Sequence, residues 1–187
     1  MSNPTIVPQE ALTDGSILIV DVDYRNGYAV ASGVIIEDWD STECAVINSV
    51  TTHIEEYNAG LFYQRELPCI LNLMKHLTVD VACIIVDGYV HLGAAKSEGL
   101  GAKLHQATKT PVIGVAKTYF TGTPDECRVL RGTTATKPLF VTSIGGDEAA
   151  ARDCILTMEG KFRIPTMLKF VDHLCRTYQC TSPQDSV

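Results

Sequence analysis

The sequence has 187 residues, of which 45% are hydrophobic and 20% charged, and its formal net charge is −7. This length suits about one domain, and the composition supports a substantial core rather than a disordered chain. The negative charge argues against a broad basic surface for nucleic acid, but it leaves room for a local basic groove.

The cysteines and the chain start bear on the cellular compartment. The seven cysteines show no Cys-x-x-Cys spacing, so we expect free thiols that act as small hydrophobes in a reduced protein. The first residues lack the basic and apolar regions of a signal peptide, and no apolar run approaches the length of a membrane span. We therefore expect a cytoplasmic protein without membrane contact.

The first part of the chain predicts an antiparallel meander of three strands. Apolar, β-branched runs at residues 17–24, 28–37 and 44–54 are separated by short turn signals, the first of which is Arg25-Asn26-Gly27. Such short connections join neighbouring antiparallel strands.

The pattern then changes to alternating helices and strands. Apolar residues recur at helical spacing over residues 60–76, where Pro68 predicts a kink or a late helix start. The continuous apolar run at residues 81–86 is typical of a central parallel strand, and the glycine-rich stretch after it indicates a loop close to a ligand or to backbone. Further elements are expected as a helix at 100–108, strands at 111–116 and 139–143, and helices at 147–158 and 165–175.

This element order predicts an α/β fold in which a mixed sheet combines the antiparallel meander with parallel strands and carries helices on both faces. The first strand can lie centrally, beside the fourth, which is the topology of the ribonuclease H-like fold. We expect one domain over residues 1–187, with its core at 16–176 and a disordered tail at 181–187.

Three acidic residues occupy informative positions in this arrangement. Asp21 lies in the first apolar strand, Asp87 ends the strand at 81–86, and Glu66 lies on the helix between them. A buried carboxylate is costly unless something compensates it, and carboxylate oxygens are ligands of Mg²⁺. The three together indicate a shared hard cation, although each alone could be a solvated carboxylate.

Lys117 follows the apolar strand at 111–116. It could contact a phosphate near the metal and stabilise developing charge, or it could mark the point where the strand reaches solvent. The sequence has no zinc-type Cys/His spacing, P-loop or Gly-x-Ser-x-Gly elbow.

Six stretches of the chain resemble endonuclease V, in the order and near the spacing of that family. They are IVDVDY at 19–24, YNAGLFYQRE at 57–66, VDG at 86–88, PVIGVAK at 111–117, PLFV at 138–141 and RIP at 163–165. The family cuts DNA or RNA near deaminated adenine (inosine) and has a ribonuclease H-like fold.

The resemblance implies roles for the acidic residues and the lysine. Asp21, Glu66 and Asp87 correspond to the catalytic metal-binding carboxylates, and Lys117 corresponds to the lysine that supports the scissile phosphate. Asp172 matches a family position near the metals that holds histidine or aspartate.

The resemblance also implies a base-recognition site. Tyr57 matches the wedge tyrosine that parts the duplex, and Gly60 and Phe62 fall where the family lines its base pocket. Gly99 restores a pocket glycine if one inserted residue is allowed. Tyr57 and Phe62 could equally be core residues.

The chain departs from the family at several of these positions. Tyr57 lacks the prolines that flank the family tyrosine, the loop after Asp87 lacks a His-Pro-Arg segment, and Gly145-Gly146 replaces a Gly-His pair. The resemblance therefore bears more directly on the metal chemistry than on the choice of base.

The leading hypothesis is a monomeric Mg²⁺-dependent endonuclease of nucleic-acid repair, in which Mn²⁺ can substitute, acting near inosine in DNA or RNA. One alternative is a non-catalytic nucleic-acid-binding module of the same fold. The other is a ribonuclease H-like nuclease with a different target.

Overall fold

The computed structural model describes residues 3–52, 62–133 and 135–179, and of Phe62 it describes the backbone alone. Tyr57, Gly60 and the tail at 181–187 lie outside the described residues, so the predictions made for them stay predictions. Within the described ranges, no helix has the length and apolar character needed to cross a membrane.

An eight-stranded mixed sheet forms the centre of the described structure. The strands in chain order are β1 (Thr5–Ile6), β2 (Ser16–Arg25), β3 (Tyr28–Ile36), β4 (Glu43–Thr51), β5 (Val81–Val86), β6 (His91–Leu92), β7 (Ser97–Glu98), β8 (Val112–Ala116), β9 (Arg128–Val129) and β10 (Leu139–Ile144). The order across the sheet is β1-β4-β3-β2-β5-β8-β10-β9, and β6 and β7 form a separate small hairpin.

The predicted meander and its junction with the parallel strands are both present. Strands β2, β3 and β4 pair antiparallel in sequence, while β2 pairs parallel with β5 and β5 with β8. The first long strand therefore lies centrally, beside the strand that ends at Asp87, as the element order predicts.

Four helices cover the two faces of the sheet: α1 (Phe62–Met74), α2 (Leu100–Thr108), α3 (Glu148–Thr157) and α4 (Thr166–Thr177). Leu18 and Val20 of β2 belong to the buried cluster that includes Ile70 of α1. Ile17 and Ile19 belong to the opposite cluster, under α3 and α4. This alternation follows from the two-residue period of a strand, and it confirms a ribonuclease H-like mixed sheet with helices on both faces.

Some details differ from the sequence-based expectation. Helix α1 begins no later than Phe62 and contains Pro68, so the late start is wrong. Strands β1, β6, β7 and β9 have two residues each. Segments this short carry no measurable periodicity, and their pairing depends on neighbours distant in sequence.

Candidate active site

The pairing register brings Asp21 and Asp87 to the same level of adjacent strands. The last paired residues of β2 and β5 are Val20 and Val86, and the two aspartates come next. Asp21 follows Ile17 and Ile19 in strand alternation, so its side chain projects toward the face covered by α4. The predicted meeting of these two acids therefore has a geometric basis.

Electrostatics show that Asp21 lies in an acidic environment. Burial raises the pKa of its carboxyl to about 7, and repulsion from Asp87 and Asp172 adds to the effect. The backbone N–H of Val22 donates a 2.8 Å hydrogen bond to Asp21 Oδ1 and opposes the shift. Nearby positive charge on Lys117 also lowers this pKa. The arrangement favours a cation at this point, because a cation would relieve the repulsion.

Glu66 approaches the same charges from α1, on the other side of the sheet. Its side chain is only 4% exposed, and burial, reinforced by Asp21 and Asp87, raises its pKa to about 8. Glu66 Oε2 is buried and has no hydrogen-bond partner among the described residues. A buried carboxylate oxygen without a partner is costly, so this oxygen is available as a ligand.

Lys117 and Asp87 form the most direct contact of the cluster. Lys117 Nζ lies 2.5 Å from Asp87 Oδ2, and each side chain is 33% exposed. Burial by itself lowers the pKa of Lys117, but the hydrogen bond and charge of Asp87 outweigh it, so the net shift is upward. Asp21 and Asp172 add to this effect. The lysine therefore stays protonated beside the carboxylates.

Asp172 lies on α4 at the margin of the cluster. Its Oδ1 accepts 3.0 Å bonds from Nε and Nη2 of Arg176, one helical turn further on. Its charge still acts on both Asp21 and Lys117. Asp172 is therefore close to the predicted metal ligands, with one oxygen engaged by an arginine.

Asp23, which shares a strand face with Asp21, is committed elsewhere. Its Oδ2 accepts a 3.0 Å bond from Arg25 Nε, and the same guanidinium donates to the carbonyls of Cys175 and Tyr178 at 2.7 and 2.6 Å. These bonds satisfy carbonyls at the end of α4, so Asp23 helps to hold that helix against β2.

Two side chains that the sequence-based reasoning left without a role hold the backbone around Lys117. Arg163 donates to the carbonyl of Lys117 and, at 2.8 Å, to that of Pro138. The Tyr89 hydroxyl donates to the carbonyl of Thr118 at 2.9 Å and accepts from the N–H of Phe120 at 3.1 Å. The RIP motif at 163–165 was the sequence feature that could have indicated a role for Arg163. No sequence feature indicated a role for Tyr89.

The loop after Asp87 is fixed where it leaves the sheet. Val90 N–H donates to the buried Thr142 hydroxyl at 2.9 Å, and Gly99 N–H donates to the Val90 carbonyl at 2.8 Å. A Cβ at Gly99 would lie 2.5 Å from the carbonyl oxygen of Tyr89. This close approach explains the glycine structurally, and its part in a base pocket stays a prediction.

The described side chains provide a partial rather than a complete site for a metal ion. In residues 3–52, 62–133 and 135–179, no three His, Cys, Asp or Glu side chains form a ready-made cage for an ion. The donor chemistry nevertheless fits a hard cation, since burial, reinforced by neighbouring carboxylates, disfavours the charged forms of Asp21 and Glu66, and Glu66 Oε2 lacks a partner among the described residues. Mg²⁺ is usually held by one or two carboxylates plus water and substrate phosphate, so it needs no full protein cage.

Three of the predicted base-recognition residues, Tyr57, Gly60 and Phe62, closely precede Glu66 in the chain. Tyr57 and Gly60 lie outside the described residues, and Phe62 is placed only by its backbone, at the start of α1. Glu66 is one helical turn further along α1, so the first turn of this helix adjoins the acidic cluster.

The central strand pair and the acids at its end define the class of fold. A central β2–β5 pair within a mixed sheet, with acids at the point where the two strands diverge, is a ribonuclease H-like arrangement. The model of the family described as Endonuclease V matches residues 5–145. The chain therefore belongs to the endonuclease V family, whose members are nucleases that cleave at deaminated bases such as inosine.

Individual relatives agree with this assignment. An endonuclease V from Streptomyces avermitilis is 31% identical over 186 residues, an alignment covering 87% of this chain and 80% of the relative. One from Streptomyces coelicolor is 28% identical and is covered to 78%.

Solved structures resemble the fold to a similar degree. The crystal structure of the endonuclease V from Streptomyces avermitilis has a TM-score of 0.68 at 28% identity, covering 94% of this chain and 84% of that one. Ciona intestinalis endonuclease V, in complex with a 24mer DNA containing an inosine followed by a ribo-adenosine, has a TM-score of 0.71 at 18% identity. Coverage there is 87% of this chain and 84% of that one. At this identity the second likeness concerns the fold alone.

Proposed function

We propose that this protein is a Mg²⁺-dependent endonuclease that hydrolyses a phosphodiester bond near inosine in DNA or RNA. The observation that carries the proposal is the electrostatic cluster of Asp21, Glu66 and Asp87 beside Lys117, in a chain of the endonuclease V family. Mn²⁺, which accepts the same oxygen ligands, would substitute.

Each residue of the cluster has a distinct part in the proposed reaction. Asp21 and Asp87 would supply carboxylate oxygens from the β2 and β5 strands, and Glu66 would supply its unpartnered Oε2 from α1. The Mg²⁺ that these residues would hold would supply an activated water and stabilise charge on the leaving oxygen, and hydrolysis would leave 3′-hydroxyl and 5′-phosphate ends.

Lys117 would act on the phosphate rather than on the metal. Its ammonium is held protonated by Asp87, and it reaches this point because it directly follows β8. A fixed positive charge beside the scissile phosphate stabilises the charge that develops as the bond breaks. Arg163 supports this role indirectly, since it holds the Lys117 carbonyl.

Asp172 would contact the metal through its second carboxylate oxygen or through a water molecule, because Arg176 donates a hydrogen bond to Oδ1. The base would be recognised outside the helix stack, as in enzymes that extrude a nucleotide into a pocket. Tyr57, Gly60, Phe62 and Gly99 are the candidates for that recognition.

A substrate panel tests the proposal. The protein would be incubated with labelled single-stranded and duplex DNA and RNA, each with inosine or with adenosine at one position, in the presence of Mg²⁺, Mn²⁺ or EDTA. We expect cutting near inosine with either metal and none with EDTA. Asp87→Asn should abolish cutting, with Asp153→Asn on the exposed face of α3 as the matched control.

Two other outcomes of the substrate panel would support the alternative functions. Metal-dependent cutting that ignores inosine would indicate a nuclease of this fold with a different target. Binding of nucleic acid without any cutting would indicate a non-catalytic module.

A further inference from the structure

Two adjoining cavities lie near the acidic cluster, and Lys117 lines the first of them. The first, of about 580 Å³, is lined by residues that include Arg128, Lys137 and Arg163. The second, of about 320 Å³, shares Lys137 and Arg163 and continues to Lys169. The shared residues place the two cavities side by side, and we call the surface that they form together the basic groove.

The basic groove has a one-sided charge. Five of the fifteen lysines and arginines of the chain line it, and no Asp or Glu does so among the residues for which the structure is described. The whole chain carries a net charge of −7, so this surface opposes the overall charge. Such segregation costs self-repulsion and is expected where an anion binds.

The individual cations are placed to face an anion. Lys137 is exposed, and Arg128 is 51% exposed although it contacts Asp125 at 3.2 Å. Arg163 is turned inward and bonds the carbonyls of Lys117 and Pro138, so it forms part of the groove wall. Lys137 and the exposed part of Arg128 can therefore contact a ligand, while Arg163 is hydrogen-bonded to the backbone of the wall beneath them.

Exposed aromatic rings accompany these charges. Tyr119, in the first cavity, is 50% exposed, and Phe162, in the second, is 40% exposed. Lys169 Nζ lies 4.7 Å from the centroid of the Phe162 ring, which orders that ammonium group at the groove. Exposed aromatic rings interleaved with cations are typical of surfaces that bind unpaired nucleotides, because bases stack on the rings and phosphates form ion pairs with the cations.

We propose that the basic groove holds one unpaired strand of the nucleic acid substrate, leading away from the scissile phosphate at Lys117. Lys137, Lys169 and Arg128 contact successive phosphates, and Tyr119 and Phe162 stack unpaired bases. A double helix would need a broad basic face, which the acidic chain does not supply. The inference rests on the proposed function for its starting point, the phosphate at Lys117.

Binding measurements test the groove separately from cutting. The probe is a fluorescein-labelled single-stranded oligodeoxynucleotide containing one inosine, with Ca²⁺ in place of Mg²⁺, followed by anisotropy over a series of salt concentrations. The double variant Lys137→Ala/Lys169→Ala should weaken binding about 10-fold and flatten the salt dependence, since each phosphate contact to a single strand contributes a slope of about 0.7. Lys137→Arg/Lys169→Arg should restore both.

Lys75→Ala serves as the control. Lys75 is exposed and follows the C-terminal end of α1, at the opposite end of the sheet from Lys117. It should leave affinity and salt dependence unchanged. Tyr119→Ala should weaken binding with an unchanged salt slope, because stacking involves no charge.

Specific results would overturn the assignment. Wild-type affinity and salt slope in the double lysine variant, with inosine cutting retained, would refute the groove and leave the proposed function standing. An equal loss on an undamaged blunt duplex would show that the surface binds double helices instead. Failure of the wild type to bind any nucleic acid would refute both proposals.

Discussion

Replacing Asp21 with asparagine should stabilise the metal-free protein at neutral and alkaline pH. Burial, together with repulsion from Asp87 and Asp172, raises the pKa of Asp21 to about 7, whereas in the unfolded chain it ionises near pH 4. Between these values the folded protein binds more protons than the unfolded one, so its stability falls as pH rises and then stays level above about pH 7. Asparagine keeps the oxygen that accepts the 2.8 Å bond from Val22 but cannot ionise.

The difference of about three pKa units corresponds to at most about 4 kcal/mol. Solvent reaches part of this side chain and screens its charge, so we expect about 1–3 kcal/mol of net stabilisation at pH 8. For a protein of this size, each kcal/mol raises Tm by about 2–4 °C. The assay is thermal and urea unfolding in EDTA at several pH values, with Asp153→Asn as the control.

Adding Mg²⁺ should make the wild type more stable than the Asp21→Asn variant. A ligand that binds only the folded state stabilises it, so the wild type should gain stability with Mg²⁺ while Asp21→Asn gains little. A stabilisation that is absent at pH 8, or that is the same at every pH, would refute the reasoning, because it would mean that Asp21 is not confined among like charges.

Three further predictions concern the residues around this site. Lys117→Met should lower kcat by about 10²–10³ with little change in substrate affinity, because its charge acts on the transition state; single-turnover kinetics would show this, and an equal change in KM alone would contradict it. Gly114→Ala should cost about 1–3 kcal/mol in urea unfolding, since its Cβ would lie 2.6 Å from the Gly88 carbonyl oxygen, whereas Gly146→Ala, which meets nothing within 4 Å, should be neutral. Tyr57→Ala should impair cutting of inosine duplexes more than of single strands, because loss of stacking costs about 1–3 kcal/mol per base; equal losses would indicate a core tyrosine.

The sequence was sufficient for the long elements and for the meeting of Asp21 with Asp87. Strands β2 and β5 are continuous apolar runs, and their lengths and connections leave few ways to pair them. The position of the acids then follows from the ends of the runs. The helical period placed α1. Of the two alternatives that Pro68 raised, a kink or a late start, the late start is wrong, because the helix runs from Phe62 through Pro68 and packing against the sheet outweighs a local propensity.

The groove and the support of Lys117 could not be read from the sequence. Arg163 holds the Lys117 carbonyl from 46 positions away, and the cations of the groove come from separate loops, from β9 and from α4. Such contacts are set by how the helices and loops dock on the sheet, which a linear pattern does not encode. Composition alone shows that an acidic chain can still carry a local basic groove, but it does not show which residues form that groove.

The attachment of the loop after Asp87 allows the hairpin sequence to change while the position of Asp87 stays the same. Val90 N–H is held by Thr142, and Gly99 closes back onto Val90. The β6–β7 hairpin between them pairs its backbone with itself and contacts its neighbours through Lys96, which binds Glu148, and Glu98, which binds Lys103 and Gln106 of α2. A replacement hairpin that keeps Val90, Gly99 and these side-chain contacts should therefore leave Asp87 in place. Grafting the corresponding segment of another family member between Val90 and Gly99 would therefore show whether this loop contributes to target choice while the β2–β5 pair is left unchanged.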